Sequence, residues 1–238
     1  AGYAPRGRPI FGPRKGAFVV DPKFISFDCY GTLTKFEIGE TTRALYQGRL
    51  APDALEIFLA DFAHFRRDEV LGAWKPYADV IGDALARASA KHGLAHDPAS
   101  AGAIYDAIPG WGPHPDVTAG LQKLAGRIPL VILSNSMRDL IMYNVDRLGA
   151  PFEHVFTAEE AGAYKPRFQA FEYMLAQLKC APEDIMHVSC HYRYDIMTAR
   201  DMGFGRRVFV DRGVEIVARG YETDIIPDIG ALPGLLGL

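Results

Sequence analysis

Short apolar runs alternate with amphipathic helical patterns from about residue 116 onward. The segment "IPLVILSNS" predicts a buried strand over residues 128–133, and the "MRDLIMYNVDRLG" that follows has apolar residues at helical spacing. The runs "HVFT", "DIMHVSC" and "RRVFV" predict further strands, with helices between them through "PRFQAFEYMLAQL", opened by Pro166, and "DIMTARDMG". This alternation predicts an α/β fold, a doubly wound parallel sheet with helices on both faces. We expect ligands at the carboxyl ends of its strands.

Between about residues 40 and 112 the alternation gives way to purely helical patterns. One of them places five large apolar residues on a single helix face, namely Leu55, Phe58, Leu59, Phe62 and Phe65. We therefore predict that residues 39–112 form an inserted helical cap and that residues 1–38 and 113–238 form the α/β core. Residues 1–16 are rich in Gly, Pro and Arg, and this composition predicts a flexible arm.

Composition excludes several kinds of partner. The 238 residues are 49% apolar and carry a formal net charge of -3, with acidic and basic residues spread along the chain. Such a chain offers no basic face for nucleic acid or for an anionic membrane, and it contains no long apolar span. Cys29, Cys180 and Cys190 form no C-x-x-C pair, which argues against disulfides and structural zinc and favours a cytoplasmic location.

Four polar segments follow the predicted strands: "FDCYGTLT", "LSNS", "AYKP" and "VSCHYRYD". In the first, Asp28 ends an apolar run, and Gly31 allows the backbone to turn away sharply. Thr32 and Ser134 can donate hydrogen bonds to a carboxylate or to a bound anion, and Lys165 adds a positive charge that favours an ionised Asp28. An ionised and oriented carboxylate is a usable nucleophile.

Together and in this order, the four segments resemble the motifs of the haloacid dehalogenase superfamily. The resemblance implies a Rossmann-like core with a helical cap. Phosphatases of that superfamily have an Asp-x-Asp pair and a later acidic pair that helps to hold magnesium, whereas this chain has Tyr30 and Cys190 at two of those positions. The Asp-x-Tyr-Gly-Thr pattern is similar to the metal-independent L-2-haloacid dehalogenase branch. We therefore expect no metal ion and no cofactor.

That resemblance implies a covalent mechanism. Asp28 would attack the carbon that bears the halogen, halide would leave, and water would hydrolyse the resulting aspartyl ester. Asp195 would position or deprotonate that water, and Ser189 matches the serine that flanks the water site. The substrate would be a small carboxylic acid, and relatives of this kind are often homodimers.

The other site residues are carried over from the same motifs. Ser134 and Asn135 match the family's Ser-Asn motif, and Lys165 matches its Tyr-Lys-Pro motif. We expect Tyr30, Ser134, Asn135 and His191 to contact the substrate. His191 lies near a position where some relatives have asparagine, and it could donate a hydrogen bond or act as a base. The family places a cap arginine over the substrate. Arg66 and Arg67 are the candidates, and the step of a hundred degrees between helix neighbours predicts that at most one faces the site.

Three alternatives remain open at this point. The same nucleophile could open a strained cyclic amino acid such as azetidine-2-carboxylate, with Tyr30 or His191 as the proton donor. A magnesium-dependent phosphatase would need substitutes for its missing acids. A protein that binds a small acid without turnover would share the fold but not the chemistry.

Overall fold

The computed structural model describes residues 21–238, so the predicted arm lies outside the described residues. Its centre is a six-stranded sheet, parallel throughout, with the strand order β3-β2-β1-β4-β5-β6. The strands are β1 (Phe24–Phe27), β2 (Leu130–Ser134), β3 (His154–Thr157), β4 (Ile185–Ser189), β5 (Arg206–Val210) and β6 (Asp224–Ile226). The prediction of a doubly wound parallel α/β fold is confirmed.

Within residues 21–238, ten α-helices connect or flank these strands. They are α1 (Ile38–Tyr46), α2 (Pro52–Leu71), α3 (Tyr77–Lys91), α4 (Pro98–Ala107), α5 (Val117–Leu124), α6 (Arg138–Val145), α7 (Ala158–Ala161), α8 (Phe168–Leu178), α9 (Met197–Asp201) and α10 (Leu232–Leu235). A single π-helical turn, Tyr192–Ile196, immediately precedes α9. π-helical turns are uncommon, and they occur often at functional sites.

The sheet is apolar on both faces because alternate residues of its central strands enter different cores. In β2, Ile132 packs in a cluster with residues of α5 and α6, whereas Val131 and Leu133 pack in another with residues of α8. A strand covered on both faces reads as a continuous apolar run, as "LVIL" does. The helices therefore lie on both faces of the sheet.

The strand order reverses between β1 and β4. From β1 the chain proceeds outward through β2 and β3, then returns to place β4 on the other side of β1. In α/β sheets the crevice at such a reversal, outside the carboxyl ends of the strands, is the usual place for a ligand. Asp28 directly follows β1 and so lies at this point.

Helices α1 to α4 form a separate helical region between β1 and β2. Their apolar faces share one buried cluster, to which α2 contributes Leu55, Phe58 and Phe62 and α3 contributes Val80 and Ile81. The chain segments that lead into and out of this region run side by side. Thr34 forms a bridge with Pro113, and the backbone N–H of Lys35 donates to the carbonyl of Gly112. The cap boundaries at 39 and 112 stay a prediction.

Some details differ from the predictions. Strand β2 begins two residues later than predicted, and β6 had no counterpart because its three residues carry too short an apolar pattern. Pro166 does not open a helix: the Lys165-Pro166 peptide is cis, and α8 begins at Phe168. Over residues 21–238 no helix combines the length and the apolar character needed to cross a membrane. The homodimer and the cytoplasmic location stay predictions.

Candidate active site

A cavity of about 490 Å³ lies between the carboxyl ends of the central strands and the helical region. Its size is within the range of small-molecule sites. Asp28, Ser134 and Lys165 line it from the sheet side, and Arg66 and Tyr77 line it from the helical region. The predicted strand-end residues and the predicted cap arginines therefore meet at one cavity.

Asp28 is held by two donors on different carboxylate oxygens. It is 5% exposed; the hydroxyl of Thr32 donates to its Oδ2 at 2.7 Å, and the Lys165 Nζ donates to its Oδ1 at 2.9 Å. Thr32 is fixed in turn because its hydroxyl accepts from the backbone N–H of Cys190 at 3.0 Å. Gly31 has a φ of +91°, which glycine adopts without strain. The sharp turn predicted at this glycine is present.

Lys165 is the centre of the polar network. The side chain is 1% exposed, and its Nζ also donates to the carbonyl of Leu133 at 2.8 Å and to Oδ1 of Asp195 at 2.7 Å. Burial alone would lower the pKa of Lys165, but the charges of Asp195 and Asp28 and the hydrogen bonds to them raise it above its ordinary value. Lys165 is therefore a permanent cation with all three ammonium protons engaged.

Asn135 lines the cavity, and its amide is bonded to the backbone of Lys165. Its Nδ2 donates to the carbonyl of Lys165 at 3.0 Å, and its Oδ1 accepts from the backbone N–H of Lys165 at 2.7 Å. Both ends of the amide are thus bonded to the Lys165 backbone, although the residue lines the cavity. The arrangement fits a residue that positions Lys165 better than a substrate ligand. Ser134 differs, because its buried hydroxyl has no partner among residues 21–238 and remains available to a ligand.

Asp195 lies behind Lys165 and does not line the cavity. It is completely buried; besides Lys165, its Oδ1 accepts from Nε2 of His187 at 2.8 Å, and its Oδ2 accepts from the hydroxyl of Ser189 at 3.0 Å. Burial raises the pKa of Asp195, but Lys165 and His187 together lower it well below its usual range. We expected Asp195 and Ser189 to lie beside a reactive water. The structure corrects this placement, because both residues are fully buried and neither lines the cavity.

His187 was missed by the sequence analysis. It occupies the middle of the buried strand β4, and its Nδ1 accepts from the Ser26 hydroxyl at 2.7 Å. A polar residue within an apolar strand is the signal that could have revealed it, since buried polar groups need partners. Through Asp195 it extends the network beneath Lys165.

Tyr30 lines the cavity, but its hydroxyl is engaged. It donates to Oδ1 of Asn144 at 2.7 Å, and the Asn144 amide donates in turn to the carbonyls of Ile108 and Trp111 at 3.0 and 2.9 Å. Burial raises the pKa of Tyr30 far above its ordinary value. In the ring-opening alternative Tyr30 is therefore a poor proton donor, because its hydroxyl is a weak acid that is bonded to Asn144. A contact between Tyr30 and the substrate stays a prediction.

His191 lines the cavity next to Asp28, as the sequence predicts, and has a partner that the sequence analysis missed. Its Nδ1 is 3.3 Å from Oε1 of Glu215, which lies in the loop after β5. A Cβ at Gly31 would lie 3.0 Å from Nε2 of His191, so glycine at this position leaves room for the ring. His114, to which no role was assigned, also lines the cavity and bonds to the carbonyl of Gly31 at 3.0 Å.

Arg66 and Arg67 both line the cavity, so the prediction that at most one faces it is wrong. Long side chains can reach a cavity from neighbouring helix positions that an angular argument separates. Arg66 is the more closely held, because its guanidinium packs over the rings of Phe36 and Phe62 at 4.9 and 5.5 Å. Its buried Nη1 has no hydrogen-bond partner within residues 21–238. This nitrogen is a donor available to an anion.

Arg212 is a second missed residue from the loop after β5. Its guanidinium pairs with both oxygens of Asp116 at 2.7 and 2.8 Å, and its Nη2 also donates to the carbonyl of Thr32 at 3.0 Å. Arg212 thereby holds the turn that carries Thr32. Its place after a strand is the sequence signal, since "RRVFV" runs directly into "DRGVE".

The donor atoms near Asp28 fit magnesium poorly. Among the described residues, one group of three potential ligands comes within 4.8 Å of one another, namely Asp28, Cys190 and His191. It contains a single carboxylate, whereas magnesium prefers oxygen ligands. Cys190 is completely buried and outside the cavity lining. We therefore identify none of the three as a metal ligand, and the metal-free site stays a prediction.

Comparisons with known proteins agree with this fold and site. The sequence matches a family described as haloacid dehalogenase-like hydrolase over residues 22–203. It is 26% identical to an (S)-2-haloacid dehalogenase of Pseudomonas putida over 185 residues, 76% of this chain and 82% of the relative. It is also 27% identical to a glyceraldehyde 3-phosphate phosphatase of Methanothermobacter thermautotrophicus over 132 residues, 52% of this chain and 58% of the relative.

A solved structure extends the likeness to almost the whole chain. An L-2-haloacid dehalogenase from Xanthobacter autotrophicus with chloropropionic acid covalently bound superposes with a TM-score of 0.75 at 21% identity, and the match covers 91% of this chain and 98% of that one. At this identity the superposition shows a shared fold.

Proposed function

The chain belongs to the haloacid dehalogenase-like hydrolases, and we propose that it hydrolyses a small 2-substituted carboxylic acid through an ester on Asp28, with halide as the leaving group. The observation that carries the proposal is the state of Asp28. A nearly buried carboxylate bonded to Thr32 and Lys165 faces a cavity in which the neighbouring Tyr30 is not an acid.

The first step follows from this arrangement. Thr32 and Lys165 each hold one oxygen of the Asp28 carboxylate, which lines the cavity. An oriented nucleophile lowers the entropic part of the barrier to attack at a saturated carbon. Halide departs without a proton, so a site without a second acid suits it. Arg66, from the opposite side of the cavity, would receive the substrate carboxylate.

The relatives support this choice of reaction. The Pseudomonas putida relative is a 2-haloacid dehalogenase, and the Xanthobacter autotrophicus structure carries chloropropionic acid as a covalent adduct. The phosphatase relative matches a shorter part of the chain. Phosphate ester cleavage needs an acid for the leaving oxygen and a magnesium site, and Tyr30 and Cys190 provide neither.

A panel of small acids without added metal tests the proposed function. We expect halide release from 2-chloro- and 2-bromopropionate in the presence of excess chelator, because no step uses a metal ion. Azetidine-2-carboxylate belongs in the panel as the ring-opening alternative. In oxygen-18 water, a single turnover should label the peptide that contains Asp28, since water attacks the carboxyl carbon. Turnover of aryl phosphates only with magnesium, and of no haloacid, would disprove the proposal.

Arg66 provides a test of substrate orientation. We expect Arg66→Met to raise KM for a 2-haloacid by about 10- to 100-fold, the loss of one charge-assisted hydrogen bond in a dry site. Methionine retains the apolar stem that packs on Phe36 and Phe62. The matched variant is Arg67→Met. We expect a change of less than about threefold, because Arg67 is half-buried and, among residues 21–238, the buried guanidinium nitrogen without a partner on this helix belongs to Arg66. Steady-state kinetics of both variants decide the assignment, and the reverse order of effects would assign the role to Arg67.

A further inference from the structure

We propose that His191, oriented by Glu215, is the base that activates the water that hydrolyses the Asp28 ester. This inference rests on the proposed function, and it assigns to the pair the step that the family resemblance gives to Asp195. Glu215 acts through His191 and is a positioning residue.

The geometry of the pair is that of an oriented imidazole. Oε1 of Glu215 lies 3.3 Å from Nδ1 of His191, and Oε2 accepts from the backbone N–H of Tyr192 at 3.0 Å. A carboxylate can only accept, so Nδ1 carries the proton in the neutral ring, and Nε2 is left with a free lone pair. The two side chains are 20% and 18% exposed, and both line the cavity. His191 and Glu215 therefore both belong to the cavity wall.

His191 is also next to the atoms that react. A nitrogen of its ring and a carboxylate oxygen of Asp28 lie within 4.8 Å, close enough for one water to touch both groups. The ring approaches the turn at Gly31, where the absence of a side chain makes space for Nε2. A water bound here would lie within reach of the carboxyl carbon of the ester.

Asp195 and Lys165 are excluded as the base by their contacts. Asp195 is completely buried, accepts hydrogen bonds on both oxygens and has a lowered pKa, so it neither reaches the water nor binds its proton. Lys165 is held protonated between two carboxylates. Among residues 21–238, His191 is the imidazole next to Asp28 whose ring is oriented by a carboxylate from another loop.

The pKa of His191 depends on whether Asp28 is a free carboxylate or an ester. Burial lowers the pKa of His191, but Cys190, Glu215 and the Asp28 carboxylate raise it well above its ordinary value. The ring of Tyr194 packs edge-on against the ring of His191, with 5.7 Å between the centroids. When Asp28 becomes an ester it loses its charge, so the pKa of His191 falls. The ring therefore releases its proton more easily in the intermediate than in the resting enzyme.

Hydrolysis of the Asp28 ester proceeds through a tetrahedral species. Nε2 of His191 takes one proton of the water while the water oxygen bonds to the carboxyl carbon of Asp28. The tetrahedral species then collapses, and the bond from that carbon to the ester oxygen breaks. The departing alkoxide receives the proton from Nε2, which gives the 2-hydroxy acid. The restored carboxyl group of Asp28 ionises and loses a proton to solvent.

Rapid-quench kinetics with 2-chloropropionate test the assignment. In His191→Asn we expect one halide per active site at close to the wild-type rate, followed by steady turnover at least about 100-fold slower, because a general base contributes that much or more. Mass analysis of the quenched enzyme should show the ester accumulating on the peptide that contains Asp28. In Glu215→Gln the acidic limb of the kcat profile should move to lower pH, since a carboxylate that raises the pKa of His191 is gone. Glu215→Asp should restore part of the rate.

The possible failures can be distinguished. A wild-type enzyme that forms no ester with any 2-haloacid would overturn the proposed function and the pair's role together. A wild-type enzyme that forms the ester, with a His191→Asn variant that hydrolyses it at the normal rate, would overturn the role of the pair alone. An unmoved pH profile in correctly folded Glu215→Gln, judged by its thermal unfolding, would do the same.

Discussion

Replacing Asp28 with asparagine should lower kcat for halide release by at least about 10⁴-fold, since an amide is a far weaker nucleophile than a carboxylate at the same place. The substitution conserves size, and the oxygen that accepts from Thr32 can be retained. Halide release by the purified variant is the measurement. Mass analysis of the intact protein must exclude deamidation back to aspartate.

The control for this variant removes another carboxylate from the same cavity. Glu40 lines the cavity from α1 but is exposed. We expect Glu40→Gln to change kcat by less than about twofold, because solvent screens its charge. If Asp28→Asn turned over substrate as fast as Glu40→Gln, covalent catalysis by Asp28 would be refuted.

Replacing Lys165 with methionine should remove activity and a large part of the stability together. The ammonium group is the shared cation of two carboxylates. Without it both stay in or near the core, where Asp28 keeps only Thr32 and Asp195 keeps only His187 and Ser189 as partners. Loss of one member of a buried charge cluster costs about 3–5 kcal/mol of unfolding free energy. Denaturant unfolding of the variant and the wild type at about pH 7 gives this difference directly.

The pH dependence of the loss identifies its cause. In the wild type, Lys165 lowers the pKa of Asp195 in the folded protein. Asp195 therefore stabilises the fold at pH values above the pKa that it has in the unfolded chain, and this contribution is lost as the pH falls. Without Lys165, burial raises the pKa of Asp195, and protonation relieves the penalty as the pH falls. The difference in stability should therefore narrow from about pH 7 toward pH 4.

A double variant provides the matched control. In Lys165→Met with Asp195→Asn, one of the two carboxylates that have lost the Lys165 cation is replaced by a neutral amide. Part of the lost stability should therefore return. Activity should not return, because Asp28 still lacks its cation. If Lys165→Met alone were as stable as the wild type at neutral pH, the network would not be a stabilising feature of the fold.

The fold and the position of Asp28 could be predicted because both have short-range signals. The alternating apolar runs specify parallel strands, and parallel strands bring their carboxyl ends to one edge. Asp28, Ser134 and Lys165 follow such runs, so their meeting at one cavity follows from the sheet. Strand β6 was not predicted, because its three residues are too few to form a recognisable apolar pattern.

The partners of the site residues could not be predicted in this way. Glu215 and Arg212 reach the cavity from a loop with no motif, and their partners lie far away in the sequence. Tyr30 has a residue type that suits proton donation, but its contact with Asn144 depends on how α6 packs. Which hydrogen bond a side chain makes is a property of tertiary packing, and no spacing along the chain encodes it.

The segments that lead into and out of the helical region are joined to each other. Thr34 and Pro113 form a bridge, and the backbone N–H of Lys35 donates to the carbonyl of Gly112. Lys35 and His114, which flank this junction, both line the cavity. The place where the chain leaves and re-enters the sheet is therefore also part of the cavity wall, a few residues after Asp28.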